Sequence, residues 1–232
     1  MKLLPAFVVL LAAVTAPAVF GAARFEGKVR MKMTDQKNPA HQLDYSVKEG
    51  FVRTDIETSP GQTAAMIMDL GKREMIFLLP GQTMYMTRPL PDMDADSAKH
   101  ADSAGNDEQL VKTGEKEKIL GYNCEKYVSK SKDTTTELWI TDELGAFMGL
   151  GDQGNPMGGR KNKSARQDWE KSIIEKGGFP MRVVSTGKKG ETFRLEVVSV
   201  EKAKLPDSLF APPPGYQKFD LGGMMRGLRG GN

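Results

Sequence analysis

From Arg24 to Lys202 the chain breaks repeatedly into short runs bounded by Gly, Pro, Asn or Asp, and most of these runs alternate apolar with polar residues. A period of two with closely spaced turns marks antiparallel strands that bury one face and wet the other. The pattern is cleanest over residues 24–34, where Phe25, Gly27, Val29, Met31 and Met33 point one way and Glu26, Lys28, Arg30 and Lys32 the other. Hairpins are predicted for 43–48 with 51–58 and for 63–70 with 73–79, followed by a strand over 83–88. A short strand at 110–113 precedes a central hairpin, 122–131 with 134–141, that turns at Lys132-Asp133. A last hairpin pairs 180–186 with 191–202.

Against these strands stands one convincing helix, 164–176. Ser164 is an N-cap with Gln167 completing a capping box, and Ala165, Trp169 and Ile173 form one apolar stripe. Gly177-Gly178 and Pro180 stop it. Residues 142–150 and 206–210 are expected to form single helical turns, and Pro212-Pro213-Pro214 to run extended and deliver Tyr216 and Phe219 to the domain.

The imbalance sets the architecture. About ten strands would make a flat sheet on the order of 48 Å by 23 Å, whereas a twelve-residue helix is about 18 Å by 10 Å and covers only about a sixth of one face. The sheet must therefore curl on itself. The fold class expected is mainly β: a curved antiparallel sheet forming an open half β-barrel, with one or two short helices plugging its concave face.

Other segments stand apart. Residues 1–23 read as a cleaved secretory signal: Lys2, an apolar stretch too short for a membrane anchor, then small residues to Ala23. No cysteine near that site allows lipidation, so the expectation is a periplasmic or secreted protein, with no transmembrane segment in its mature form. A single domain is expected over 24–220, with flexible insertions at 89–109 and 149–163 and a flexible tail at 221–232. The first insertion carries Asp92, Asp94, Asp96, Asp102 and Asp107 but lacks the later glycine and glutamate of a calcium loop. No metal or cofactor is predicted. A formal net charge of +3, spread along the chain, gives no footprint for nucleic acid.

Four segments carry a family resemblance: Gly121-Tyr122-Asn123-Cys124-Glu125-Lys126-Tyr127, Thr136-Glu137-Leu138-Trp139-Ile140-Thr141, Gly178-Phe179-Pro180-Met181, and Leu205-Pro206-Asp207-Ser208-Leu209-Phe210 through Pro214-Gly215-Tyr216. They resemble an exported bacterial family known as domain of unknown function 4412, itself similar to the superfamily of the lipoprotein carrier LolA and its receptor LolB. The resemblance implies an eleven-stranded open barrel with helices plugging a hydrophobic cavity, and relatives that bind acyl chains or lipidated proteins.

The sole cysteine, Cys124, falls in a strand and has no neighbouring base in the sequence, the histidines being His41 and His100. No catalysis is expected. The function expected is a binding module that holds an apolar ligand (an acyl chain, a lipid or a lipidated peptide) in the half-barrel. Its lining is assigned to Met31, Met33, Met66, Met68, Met84, Met86, Trp139, Trp169 and Ile173. The alternative is a protein-interaction or envelope-sensor domain whose barrel is filled by its own side chains. The partners expected are accordingly a lipid or lipidated protein, or another protein of the envelope.

Overall fold

The structure is a computed structural model that describes residues 25–36, 40–59, 61–79, 81–90, 110–131, 133–150 and 165–219, with only the backbone for 58–59 and 165–168. The predicted signal, nearly all of the two insertions, the tail and the capping box lie outside the described residues.

Twelve strands form one sheet: β1 (Gly27–Asp35), β2 (His41–Lys48), β3 (Phe51–Ser59), β4 (Gln62–Asp69), β5 (Glu74–Leu78), β6 (Met84–Pro89), β7 (Val111–Ile119), β8 (Tyr122–Lys130), β9 (Thr134–Thr141), β10 (Phe179–Gly187), β11 (Gly190–Lys202) and β12 (Gln217–Lys218). One helix, α1 (Ala165–Lys176), lies between β9 and β10 in sequence. The spatial order is β12-β6-β5-β4-β3-β2-β1-β11-β10-β9-β8-β7, so two meanders join where β1 pairs with β11, and the sheet stays open at β7 and β12. All pairings are antiparallel except β12 with β6.

The curl is visible in one contact. Tyr45 on β2 and Phe179 on β10 are three strands apart, about 14 Å on a flat sheet, yet their rings meet edge to face at 5.6 Å. The inward residues follow the predicted alternation. In β1, Val29, Met31 and Met33 are buried while Lys28, Arg30 and Lys32 are exposed.

The structure departs from the sequence expectations in four places. Residues 142–150 are irregular rather than helical, and they send Leu144, Phe147 and Leu150 into the core. The short strand expected at 110–113 continues to Ile119 as β7, across a register shift beside Gly114. Its Glu115-Lys116-Glu117-Lys118 segment has no alternation to read because it is the outermost strand, wet on most sides. Charge on such an edge also opposes pairing with another sheet.

Third, the sheet is not wet all over its outer face. After β11 the chain turns across the back of the sheet, where Leu205 and Phe210 pack with Ala65, Ile67, Ile76 and Leu78 in a second core. This strap is held by Glu26, whose carboxylate accepts from Leu205 N at 2.7 Å, and by Arg53, which donates to Leu209 O at 2.8 Å. Lys48 reaches both Leu205 O and the carboxylate of Asp207. The helical turn expected there is a 3-10 turn, Asp207–Phe210. Fourth, the strap ends in β12, an unpredicted strand, with Gln217 N bonded to Thr83 O and Phe219 N to Tyr85 O.

Phe210 is buried where no ligand is in question, so it tests the strap. Phe210→Ala should lower stability by about 3 kcal/mol, read as a fall in the urea midpoint. A loss under about 1 kcal/mol would mean that the strap does not hold the outer core.

Candidate binding site

The concave face divides into two zones. In the first, aromatic rings run from the sheet into the plug. Phe147 lies 5.5 Å from Tyr45, 5.6 Å from Phe179 and 6.0 Å from Trp169, and Trp169 stacks on Phe193 at 5.9 Å. Gly177 and Gly178, both at positive φ, turn the chain out of α1 into β10. A side chain at Gly178 would lie 2.7 Å from Ile140, so the close approach requires glycine. The Gly178 carbonyl accepts from Phe147 N at 2.9 Å, and the Tyr45 hydroxyl accepts from Met148 N at 3.0 Å. These bonds set the irregular segment against the sheet. Burial drives the Tyr45 phenol well above its ordinary pKa, so it remains a neutral hydrogen-bonding group.

The second zone is thioether. Register places Thr54 opposite both Tyr45 and Met66, then Met66 opposite Phe77 and Met68 opposite Met75, with Phe77 in turn opposite Met86. All these side chains share the inward face. Met31, Met33, Met66, Met68 and Met86 are buried in one core with Trp169 and Ile173. Met84 shares the parity of Met86 but sits half-buried at the rim, where it pairs with Gln217.

Trp139 is off the inward row of β9, although it packs partly against the same core. Its neighbours Leu138 and Ile140 occupy the inward positions of β9, and period two turns Trp139 to the outer face. There it lies opposite Arg182 and Lys126, with the Lys126 ammonium 5.8 Å from its ring. Reading Trp139 as lining treated an aromatic residue as apolar without fixing its parity.

Sequence reasoning left Tyr45, Phe147 and Phe179 out of the lining, and put Phe193 on one face with Leu195 and Val197 without assigning it there. Tyr45 and Phe193 follow the alternation of Leu43 and Leu195, so parity could have found them. Phe147 carried no periodic signal.

Two buried polar atoms of this interior have no hydrogen-bond partner: Trp169 Nε1 and Thr54 Oγ1. Both residues are almost wholly enclosed, at 1% and 2% exposure. Other buried polar side chains of the described residues do find partners, as Thr136 does in Ser185 at 3.0 Å.

Among the described residues no three His, Cys, Asp or Glu side chains converge to hold a metal. Cys124 is 1% exposed, and its sulfur contacts the Tyr122 carbonyl oxygen at 3.5 Å. Desolvation pushes its thiol pKa up, away from the thiolate a nucleophile needs.

Comparison with known proteins places this geometry. The profile of the family described as "Domain of unknown function (DUF4412)" matches residues 25–216. The chain belongs to the DUF4412 family. The match runs from just before β1 to the residue before β12, so the family unit includes nearly all of both cores. No curated protein matches this DUF4412 chain.

Three similar solved structures span most of it. An uncharacterized conserved protein from Thermus thermophilus is 12% identical, with a TM-score of 0.47 over 84% of this chain and 90% of that one. PNGF-II is 17% identical, with a TM-score of 0.47 over 87% of this chain but only 32% of its own. A LolA superfamily protein from Nitrosomonas europaea is 15% identical, with a TM-score of 0.32 over 83% of this chain and 91% of that one.

The state of Cys124 is directly testable. At pH 8 the native protein should react with a thiol-specific disulfide reagent on the order of a hundredfold slower than the urea-unfolded chain. Equal rates would place the thiol at the surface.

Proposed function

We propose that this protein is an exported, non-enzymatic binding module that takes an apolar ligand (an acyl chain, a lipid or a lipidated peptide) onto the concave face of its half-barrel. The observation that carries this reading is the division of the interior into thioethers fixed on strands and a plug made of residues 142–150 and α1. The plug presents apolar side chains, Leu144, Phe147, Leu150, Trp169 and Ile173, to the sheet. Methionines on β1, β4 and β6 present a surface that reshapes easily around apolar partners. A ligand enters between the sheet and the plug, which gives up its contacts with the sheet and closes over the ligand.

The energetics of such an exchange are nearly balanced. Uncovering five plug side chains costs about 10 kcal/mol at about 2 kcal/mol each, whereas burying about fourteen methylenes returns about 11 kcal/mol. A chain of about eight methylenes returns only about 6 kcal/mol and does not displace the plug. The reading therefore carries a threshold in chain length. Delivery outside the cytoplasm follows from the signal read at residues 1–23. Among the described residues no helix is long and apolar enough to cross a membrane.

The packed rings Tyr45, Phe147, Trp169 and Phe193 favour a second reading, in which the plug never leaves and the domain serves as a protein-interaction or sensor module. The two part on one experiment. Protein purified without detergent is examined by native mass spectrometry and titrated with fluorescent acyl probes of increasing length. Bound mass, or uptake that begins only with long chains, supports the binding module; no uptake at any length supports the filled domain.

Phe147→Ala should cost about 3–4 kcal/mol of stability and lower the chain length at which uptake begins, because the plug is then easier to displace. An unchanged threshold would count against displacement of the plug as the entry step.

A further inference from the structure

We infer that the ligand is not a bare hydrocarbon but an acyl ester, whose neutral carbonyl oxygens accept hydrogen bonds from Trp169 Nε1 and Thr54 Oγ1. This rests on the proposed binding function and specifies its ligand. Among the described residues these are the two buried side-chain N or O atoms without a hydrogen-bond partner, and the core around them is mainly Met, Leu, Ile, Val and aromatic rings. Leaving a buried donor unpaired is costly, and phenylalanine at 169 or valine at 54 would fill similar space without that cost. Their presence has a chemical use if the missing acceptors arrive with the ligand.

Their positions fit that use. Thr54 stands at the boundary of the zones, opposite Tyr45 on one side and Met66 on the other. Trp169 belongs to the plug, between the rings of Phe147 and Phe193, so its N–H lies at the element the ligand must move. A hydrocarbon chain would lie along the methionines while its carbonyl end meets the donors. The indole N–H donates only, and the threonine hydroxyl can also donate. Among the described residues no buried side chain is cationic, and the Lys176 ammonium is stacked over the Tyr127 ring at 4.4 Å. A free carboxylate at Thr54 or Trp169 would therefore be buried without a counter-charge, and a neutral ester is favoured.

The test compares methyl palmitate with hexadecane, each presented from cyclodextrin to the full mature chain. The chain holds two tryptophans, so the indole N–H resonances of Trp169 and Trp139 are assigned by Trp139→Phe, and outward-facing Trp139 serves as an internal control.

Methyl palmitate should move the Trp169 indole proton downfield and leave that of Trp139 in place, while hexadecane moves neither in that sense. Thr54→Val should weaken the ester about tenfold and leave hexadecane unchanged. In the free protein it should raise the thermal midpoint, since a methyl replaces an unpaired hydroxyl. Equal binding of ester and hydrocarbon with an unmoved Trp169 indole overturns this inference alone. Binding of neither ligand overturns both this inference and the binding module beneath it.

Discussion

Among the described residues an open sheet of twelve strands has two faces of apolar surface to hide and one short helix to hide them with. Much of the structure answers that constraint. Curvature brings Tyr45 and Phe179 together from strands three apart, so the sheet covers part of its own inner face. The irregular segment 142–150 and α1 fill part of the remaining hollow with Leu144, Phe147, Leu150, Trp169 and Ile173. On the outer face the strap from Leu205 to Phe210 covers Ile67, Ile76 and Leu78. Helix area alone would have left most of this surface in water.

The same constraint separates what is rigid from what is exchangeable. The strap is fixed by charge-assisted hydrogen bonds from Glu26, Lys48 and Arg53, which anchor its backbone at specific carbonyls and N–H groups. The plug is also tied at a few points, where Met148 N donates to the Tyr45 hydroxyl and Glu143 accepts from Asn123. Most of what it turns toward the sheet, however, is apolar side chains and rings, whose burial carries little directional preference. An apolar molecule of sufficient length offers the sheet comparable burial. That difference is why the inner face, and not the outer one, is the natural place for a ligand.

Much of this arrangement was legible in the residues. Strand boundaries followed from period two and from turns such as Glu49-Gly50 and Gly71-Lys72, and the inward parity of Met31, Met33, Met66, Met68 and Met86 followed with them. The second core also left a trace: Ala64-Ala65-Met66-Ile67-Met68 and Met75-Ile76-Phe77-Leu78 are unbroken apolar runs, the mark of strands covered on both faces. The outer position of Trp139 was equally available from Leu138 and Ile140, because neighbours in a strand face opposite sides.

What the sequence determined by itself was local: which residues form strands, where they turn, which side chains share a face, and that one helix could not cover the sheet. These depend on backbone preferences and on alternation, which act over a few residues. Only the tertiary structure decided what lies against each face. The seating of Phe147 beside Tyr45, the path of the strap to Ile67, and the isolation of Trp169 Nε1 and Thr54 Oγ1 all depend on contacts between segments distant in the chain. Such contacts are selected by volume and by competing ways to cover the same surface, and no pattern along the sequence records which way prevails.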